Sequence, residues 1–220
     1  MAATPGGLSL VVLRNVPLFS GLDEAELEKL SKLAGRKRVE RSAFVVRAGD
    51  STDSLYILLS GRAKVTNTDE EGREIILAWL GPGEFFGEMG MIDGSPRSAN
   101  VVAAEPCELL FLSKEAFQRC MQDNFAVAQK LMKILVLRLR EADRKIESLA
   151  LLDVYGRVAR LLLDMSEVVD GLRMVKKKIS KQDMAKMIGA SREMVSKVMR
   201  DLELSGYIRY DGDLLVIPGV

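Results

Sequence analysis

Between Arg36 and Ser113 the apolar residues come in short runs: "SAFVVRAG", "SLYILLSG", "RAKVTN", "REIILAWLG", "SANVVAAE" and "CELLFLS". Turn-forming stretches ("AGDSTD", "DEEG", "GPGE", "DGSP") separate them at intervals of about ten residues. Many short strands at that spacing predict a sandwich or barrel, here a jelly roll. Ahead of them, "GLDEAELEKLSKLA" carries Leu22, Leu27, Leu30 and Leu33 on one face and predicts an amphipathic helix opened by acids, behind a loose tail over residues 1–7. Behind them the period changes. Phe125, Ala128, Met132, Leu135, Leu139, Ala142, Ile146 and Leu149 are spaced alternately by three and four residues, the a/d seam of one long helix. Such a seam packs either on its own domain or on a second copy. Its narrow width and charged flanks (Lys133, Arg138, Arg140, Glu141, Arg144, Lys145) favour a homodimer.

The remaining pattern is shorter. "DVYGRVARLLLDMSEVVD" reads as a helix, with a domain boundary between Asp153 and Gly156. Ser180 caps "KQDMAKMI", with Asp183 three residues on; "GAS" breaks that helix, and Ser191 caps "REMVSKVMRDLELS", which stops at Gly206. Two short helices about a Gly-containing turn predict a helix-turn-helix, and "YIRYDGDLLVIP" predicts a hairpin wing around Asp211-Gly212. The fold class is α+β, in three parts: a β-roll sensor over 1–113, a coiled-coil dimerisation helix over 114–152 and a winged helix-turn-helix over 153–220.

Charge sharpens the last part. The chain of 220 residues carries a net charge of only +1, yet Gly171–Arg200 holds nine Lys/Arg against two acids. A basic third beside an acidic remainder points to an anionic partner. The absence of histidine, with only Cys107 and Cys120, excludes Ser-His and Cys-His catalysis, His-ligated zinc or haem, and a Cys-rich cluster. No enzymatic activity is expected, and no metal, haem or iron–sulfur cofactor. With no signal peptide and no membrane-length apolar run, the cytoplasm is the expected compartment, without a membrane partner.

A recognition helix presents its N-terminal side chains to base edges in the major groove. Arg192, at the first helical position, suits guanine O6 and N7, while Glu193 can accept from a cytosine or adenine amino group. Lys197 lies one turn on, and Ser196 beside it; Met194, Val195, Val198 and Leu202 are expected on the buried side. Lys176, Lys177, Lys178, Lys181 and Gln182 are placed for phosphates, as are the backbone N–H groups at the caps Ser180 and Ser191. The competing reading is a solvated basic face. A dimer of such domains implies near-palindromic double-stranded DNA with half-sites about one helical turn apart.

The loop "GEFFGEMGMIDGSPRSA" combines glycines with one acid, Glu88, and one base, Arg97. A ribose phosphate needs backbone N–H groups freed by glycine, a guanidinium for the phosphate and an acceptor for a hydroxyl; Gly87, Arg97 and Glu88 are of those types. An internal Glu88–Arg97 ion pair bracing a turn is the alternative.

"SLYILLSGRAKV", "FFGEMGMIDGSPRSA", "LALLDVYGRVARLLL" and "ISKQDMAKMIGASREMVSKVMRDLE" stand in the order of a known family. On these motifs the chain resembles the Crp/Fnr superfamily, most of all the branch of the catabolite activator protein, over nearly its whole length. The resemblance implies a cyclic-nucleotide-binding β-roll, a dimerisation helix and a winged helix-turn-helix. It places Gly87, Glu88, Met89, Arg97 and Ser98 at the phosphate and ribose, and Arg192 and Glu193 at the bases, with Lys197 where the family commonly has arginine. RNA polymerase is the further partner it implies. One departure concerns the effector. Cyclic-AMP-binding relatives present a Thr-Ser pair to the adenine from the long helix, and the corresponding residues here are Ala142 and Asp143. Losing the hydroxyls while gaining an acid favours cyclic di-GMP over cyclic AMP. The expectation is a dimeric transcription regulator controlled by a cyclic nucleotide. The alternatives are a nucleotide-binding module acting on a protein partner and a family member that binds DNA without ligand.

Overall fold

The computed structural model describes residues 10–176, 179–212 and 214–218. The expected tail over 1–7 lies outside them, as do Lys177 and Lys178. The chain divides into two compact units, Met1–Leu137 and Arg138–Val220.

The first unit opens with α1 (Leu10–Arg14), a 3-10 turn (Pro17–Phe19) and α2 (Glu24–Leu33). Asp23 and Glu26 close a reciprocal capping box on α2, each side chain accepting from the other's backbone N–H. Strands β1 (Gly35–Val39), β2 (Phe44–Val46), β3 (Ser54–Ser60), β4 (Ala63–Thr68), β5 (Glu74–Leu80) and β6 (Phe85–Phe86) follow, then α3 (Met89–Asp93), β7 (Asn100–Ala103) and β8 (Cys107–Ser113). They form two antiparallel sheets, ordered β1-β8-β3-β6 and β2-β7-β4-β5. Val45, Leu58, Ala63, Leu80, Phe86, Val101 and Leu109 fill the space between the sheets. The opposite face of the first sheet, through Leu55, Ile57, Leu110 and Leu112, packs on Leu13, Leu27, Phe117, Val127 and Leu131. β3 and β8 are therefore buried on both faces, and both read as continuous apolar runs rather than alternations.

The roll is the one the strand spacing predicts. β1 ("GRKRV"), the two-residue β6 and the helices α3 and α4 (Lys114–Asp123) go beyond it. β1 is invisible to hydropathy because three of its five residues are cationic; its place comes from full register with β8, Gly35 opposite Phe111 to Val39 opposite Cys107. A Cβ on Gly35 would collide with the Phe111 ring, so the strand lies flush against that ring.

Helix α5 (Phe125–Leu151) is unbroken and carries the entire heptad seam. It presents two stripes. Val127 and Leu131 are buried in the core of the first unit, with Ile134 and Leu135 packed against it. Phe125, Met132, Leu139, Ile146 and Leu149 are exposed, Leu139 at 62%. Ala128 is half-buried and Ala142 exposed. The division between the units falls inside α5, whereas Asp153 caps the next helix, accepting from Gly156 N at 2.8 Å.

The second unit continues with α6 (Val154–Met165), β9 (Glu167–Val169), β10 (Leu172–Val175), α7 (Lys181–Ile188), α8 (Arg192–Leu204), β11 (Arg209–Asp211) and β12 (Leu214–Ile217). The four strands order as β11-β12-β10-β9. The helix expected over "DVYGRVARLLLDMSEVVD" ends at Met165, and Glu167–Val169 is a strand instead. Asp170 and Gly171 both take positive φ (50° and 77°) and close a two-residue hairpin with Leu172 opposite Val169. The core comprises Val158, Leu162, Met184, Ile188, Val195, Val198, Met199, Leu202, Ile208, Leu215 and Ile217, among others. Met194, expected on the buried side of α8, is 49% exposed, and Met199 fills that role. Val195, Val198, Met199 and Leu202 make an i, i+3, i+4, i+7 stripe, and Met194 stands about 100° off it. Among the described residues no helix is long and apolar enough to cross a membrane.

Candidate ligand cradle and nucleic-acid interface

In the first unit, β6 ends at Phe86 and the chain turns at Gly87, whose φ of +88° few residues besides glycine adopt. A Cβ on Gly87 would collide with Nη1 of Arg97 and lie 3.0 Å from the Ser54 carbonyl. Glycine here thus makes room for the guanidinium itself. Gly90 has a similar constraint, because a Cβ would strike the Ser95 carbonyl and Thr52 Oγ1. Gly94 ends α3 in the left-handed region, its N–H bonded to Gly90 O.

Arg97 is buried, an uncommon position for a guanidinium, and its bonds explain how it is held. Nη1 donates to Gly87 O at 3.1 Å and Nη2 to Ser54 O at 2.7 Å, while Asp53 Oδ1 lies 3.4 Å from Nη2. Its backbone is pinned as well: Arg97 N donates to Asp50 O at 2.9 Å, and Gly49 N to Arg97 O at 2.8 Å. The Tyr56 ring, stacked on Phe86 at 5.3 Å, lies 5.8 Å from the guanidinium carbon. Burial pushes the Tyr56 hydroxyl above its ordinary pKa, with the Asp53 charge adding to it and Arg97 opposing. Arg97, Tyr56, Asp53, Asp50, Ser51, Val45 and Val46 line a hollow of about 270 Å³.

Glu88, at 3% exposure, is buried beside Gly87 at the start of α3, and its carbonyl accepts from the N–H groups of Met91 and Ile92. Met89 and Ser98 are exposed and meet, Ser98 Oγ lying 3.7 Å from the Met89 sulfur. The structure therefore gathers Gly87, Glu88, Met89, Arg97 and Ser98 around one turn. Sequence reading missed Asp53 and Tyr56, which join them from β3 and the residue before it; only pairing of β3 with β6 brings them there. Ala142 and Asp143 belong to the second unit, where both are exposed on α5.

In the second unit the capping serines fix both helices of the helix-turn-helix. Ser180 Oγ accepts from Asp183 N at 3.0 Å and Ser191 Oγ from Met194 N at 3.2 Å. Gly189, left-handed at φ +62°, ends α7. Arg157 reaches across from α6 to donate to Ile188 O at 2.7 Å, so the last turn of α7 is tied to the unit's core. Arg192, Glu193, Ser196, Lys197 and Arg200 line one open hollow of about 460 Å³ on α8. Arg200 went unnoticed in sequence, although its spacing from Arg192, Ser196 and Lys197 puts it on their face. The Glu193 carboxyl is held below its ordinary pKa, first by its own backbone N–H and then by the Ser191 hydroxyl. It is an ionised acceptor at the helix start. Lys181 and Gln182 are exposed on the first turn of α7.

Comparison with known proteins agrees with both halves. Residues 36–124 match the cyclic nucleotide-binding domain family, and residues 156–218 the Crp-like helix-turn-helix domain. The cAMP-activated global transcriptional regulator Vfr of Pseudomonas aeruginosa is 35% identical over 217 residues, 96% of this chain and 99% of that protein. The structure of CLP, the c-di-GMP-responsive global regulator of Xanthomonas campestris, superposes with a TM-score of 0.75 at 30% identity, over 90% of this chain and all of that one. The catabolite activator protein of Thermus thermophilus gives 0.56 at 35% identity, over 91% and 93%. The chain is a cyclic-nucleotide-regulated DNA-binding transcription regulator of the Crp/Fnr family, which is not a family of enzymes.

Proposed function

We propose that this regulator works as a homodimer on near-palindromic DNA, and that ligand held at Arg97 biases the geometry of its two recognition helices. The observation that carries the reading is the buried guanidinium of Arg97, bonded to Gly87 O and lining a hollow with Tyr56 and Asp53, in a chain whose α8 presents Arg192, Glu193, Ser196, Lys197 and Arg200 together. Arg97 holds a phosphodiester oxygen by charge-assisted hydrogen bonds, and Glu88 and Ser98 supply an acceptor and a hydroxyl for ribose and phosphate. Arg192 and Glu193 read base edges, while Lys181, Gln182 and the N–H groups behind Ser180 and Ser191 hold phosphates. The exposed stripe of Phe125, Met132, Leu139, Ile146 and Leu149, with Ala128, Leu135 and Ala142 between them, is the seam to the second copy. The protein acts in the cytoplasm, where its DNA lies, and RNA polymerase is the further partner of such a regulator.

The effector is cyclic di-GMP. Asp143 offers an exposed carboxylate that can accept from guanine N1–H and N2–H, and Ala142 has no hydroxyl for adenine. A second reading, cyclic AMP, is favoured by the likeness to the cAMP-activated regulator Vfr. Calorimetric titration of the full chain with cyclic AMP, cyclic GMP and cyclic di-GMP in parallel tests this. Saturable binding of cyclic di-GMP at the lowest concentration is expected; tighter binding of cyclic AMP overturns the assignment.

A further inference from the structure

Two backbone carbonyls suffice to hold the Arg97 guanidinium. Ser54 O, on β3, takes one N–H of Nη2 at 2.7 Å, and Gly87 O, at the end of β6, takes Nη1 at 3.1 Å. Ser54 O lies on β3 and Gly87 O directly follows β6, the strand paired with β3, so both acceptors are fixed by the backbone of the roll. The third acceptor is of another kind. Asp53 Oδ1 faces the same Nη2 at 3.4 Å, and the Asp53 side chain is 78% exposed where that of Arg97 is 4%. Asp53 also lines the hollow, together with Asp50. The longest of Arg97's three side-chain contacts is thus the one turned to solvent and made by a carboxylate rather than a backbone carbonyl.

Nη2 gives one of its two N–H groups to Ser54 O, so an anion oxygen that binds at Nη2 needs the other, which Asp53 already faces. We infer that Asp53 is a built-in competitor for the ligand's phosphodiester: it neutralises Arg97 while the hollow is empty, and must be displaced on binding, which sets the affinity below what the cradle could reach. This rests on the reading of Arg97 as the phosphodiester holder. A bracing role for Asp53 predicts the opposite sign, because losing a brace weakens binding while losing a competitor tightens it.

Asp53→Asn in the full chain separates them. The side chain keeps its shape at an exposed position, and Arg97 keeps both carbonyls, so folding should be unchanged by circular dichroism. Titration with cyclic AMP and cyclic di-GMP should show about three- to tenfold tighter binding of whichever the wild type takes, the scale of one partly exposed ion pair. Asp53→Glu should return most of the wild-type affinity. Asp50→Asn removes the same charge from the same hollow without a side-chain bond to Arg97, and should change affinity less. Unchanged or weaker binding by Asp53→Asn beside a wild type that binds normally overturns the inference alone, as does an equal gain from Asp50→Asn. Wild type and Asp53→Asn both failing to bind any cyclic nucleotide overturns the reading of the cradle, and the inference with it. Binding by the variant alone would be the competitor effect at its strongest.

Discussion

Gly87→Ala probes the cradle through a single methyl group. Two separate costs are expected. The first is conformational: at φ +88° an L-residue loses roughly 1–2 kcal/mol relative to glycine. The second is steric, because the new Cβ collides with Nη1 of Arg97 and presses on the Ser54 carbonyl. Arg97 is pinned through its backbone on both sides, so its guanidinium must swing out of the space it fills, forfeiting the bonds to Gly87 O and Ser54 O. Hydrogen bonds of a charged donor contribute about 1.5–3 kcal/mol each, part of which water restores once the group is exposed. A total of about 2–4 kcal/mol is the expectation. The guanidinium clash separates out in an Arg97→Ala background, where Gly87→Ala should cost only the conformational 1–2 kcal/mol or so and whatever the 3.0 Å approach to Ser54 O adds. Urea unfolding followed by the fluorescence of Trp79, the only tryptophan, reads the first unit directly because Trp79 lies on β5. Equal costs in the two backgrounds, within about 0.5 kcal/mol, would refute the steric argument.

Arg192→Ala should relax guanine preference at one position of each half-site by about 1–3 kcal/mol, read by selection from a randomised operator library; an unchanged selected sequence counts against Arg192 as a base reader. Leu139→Lys places a charge in the exposed seam of α5 and should give a monomer mass by light scattering, and a dimer of undiminished mass would remove the seam from the interface. The two thiols should be slow to react in the folded protein. Burial pushes Cys120 up to about 11 and raises Cys107 as well, so at pH 8 roughly one Cys120 in a thousand is thiolate. Labelling with a disulfide reagent should accelerate many-fold on unfolding, and rapid reaction of both thiols in native protein would contradict this burial.

Much of the fold is legible because the elements carry their own punctuation. The capping serines 180 and 191, the Gly189 turn and the wing hairpin each satisfy local backbone chemistry, and local chemistry is written in adjacent residues. β9 and β10 were also written there: Asp170-Gly171 between two valine-bearing runs is a hairpin signal, masked by a helical reading extended past Met165. Met194 shows the limit of pattern at fine scale, since one residue's displacement turns a side chain from core to solvent. The cradle is harder. Gly87, Glu88 and Arg97 share one stretch of sequence, but Asp53 and Tyr56 reach them only through pairing of β3 with β6. β1 depends on β8 in the same way, and no amount of hydropathy reveals a strand of three cations.

The two stripes of α5 give the helix two guarantors of unequal reach. Its opening turns are fastened by Val127 and Leu131, which their own unit buries whether or not a second copy is near. From residue 138 to residue 151 none is buried. A helical stretch of some fourteen residues without such buried anchors is marginal in water, since propagation beyond the fastened turns is barely favourable. With a dimer seam there, helicity of that half becomes a function of protein concentration: dilution should melt residues 138–151 while the opening turns keep their shape. Ala142 and Asp143 lie in that half, so on the cyclic di-GMP reading proposed above subunit association would also order the two residues assigned to the guanine.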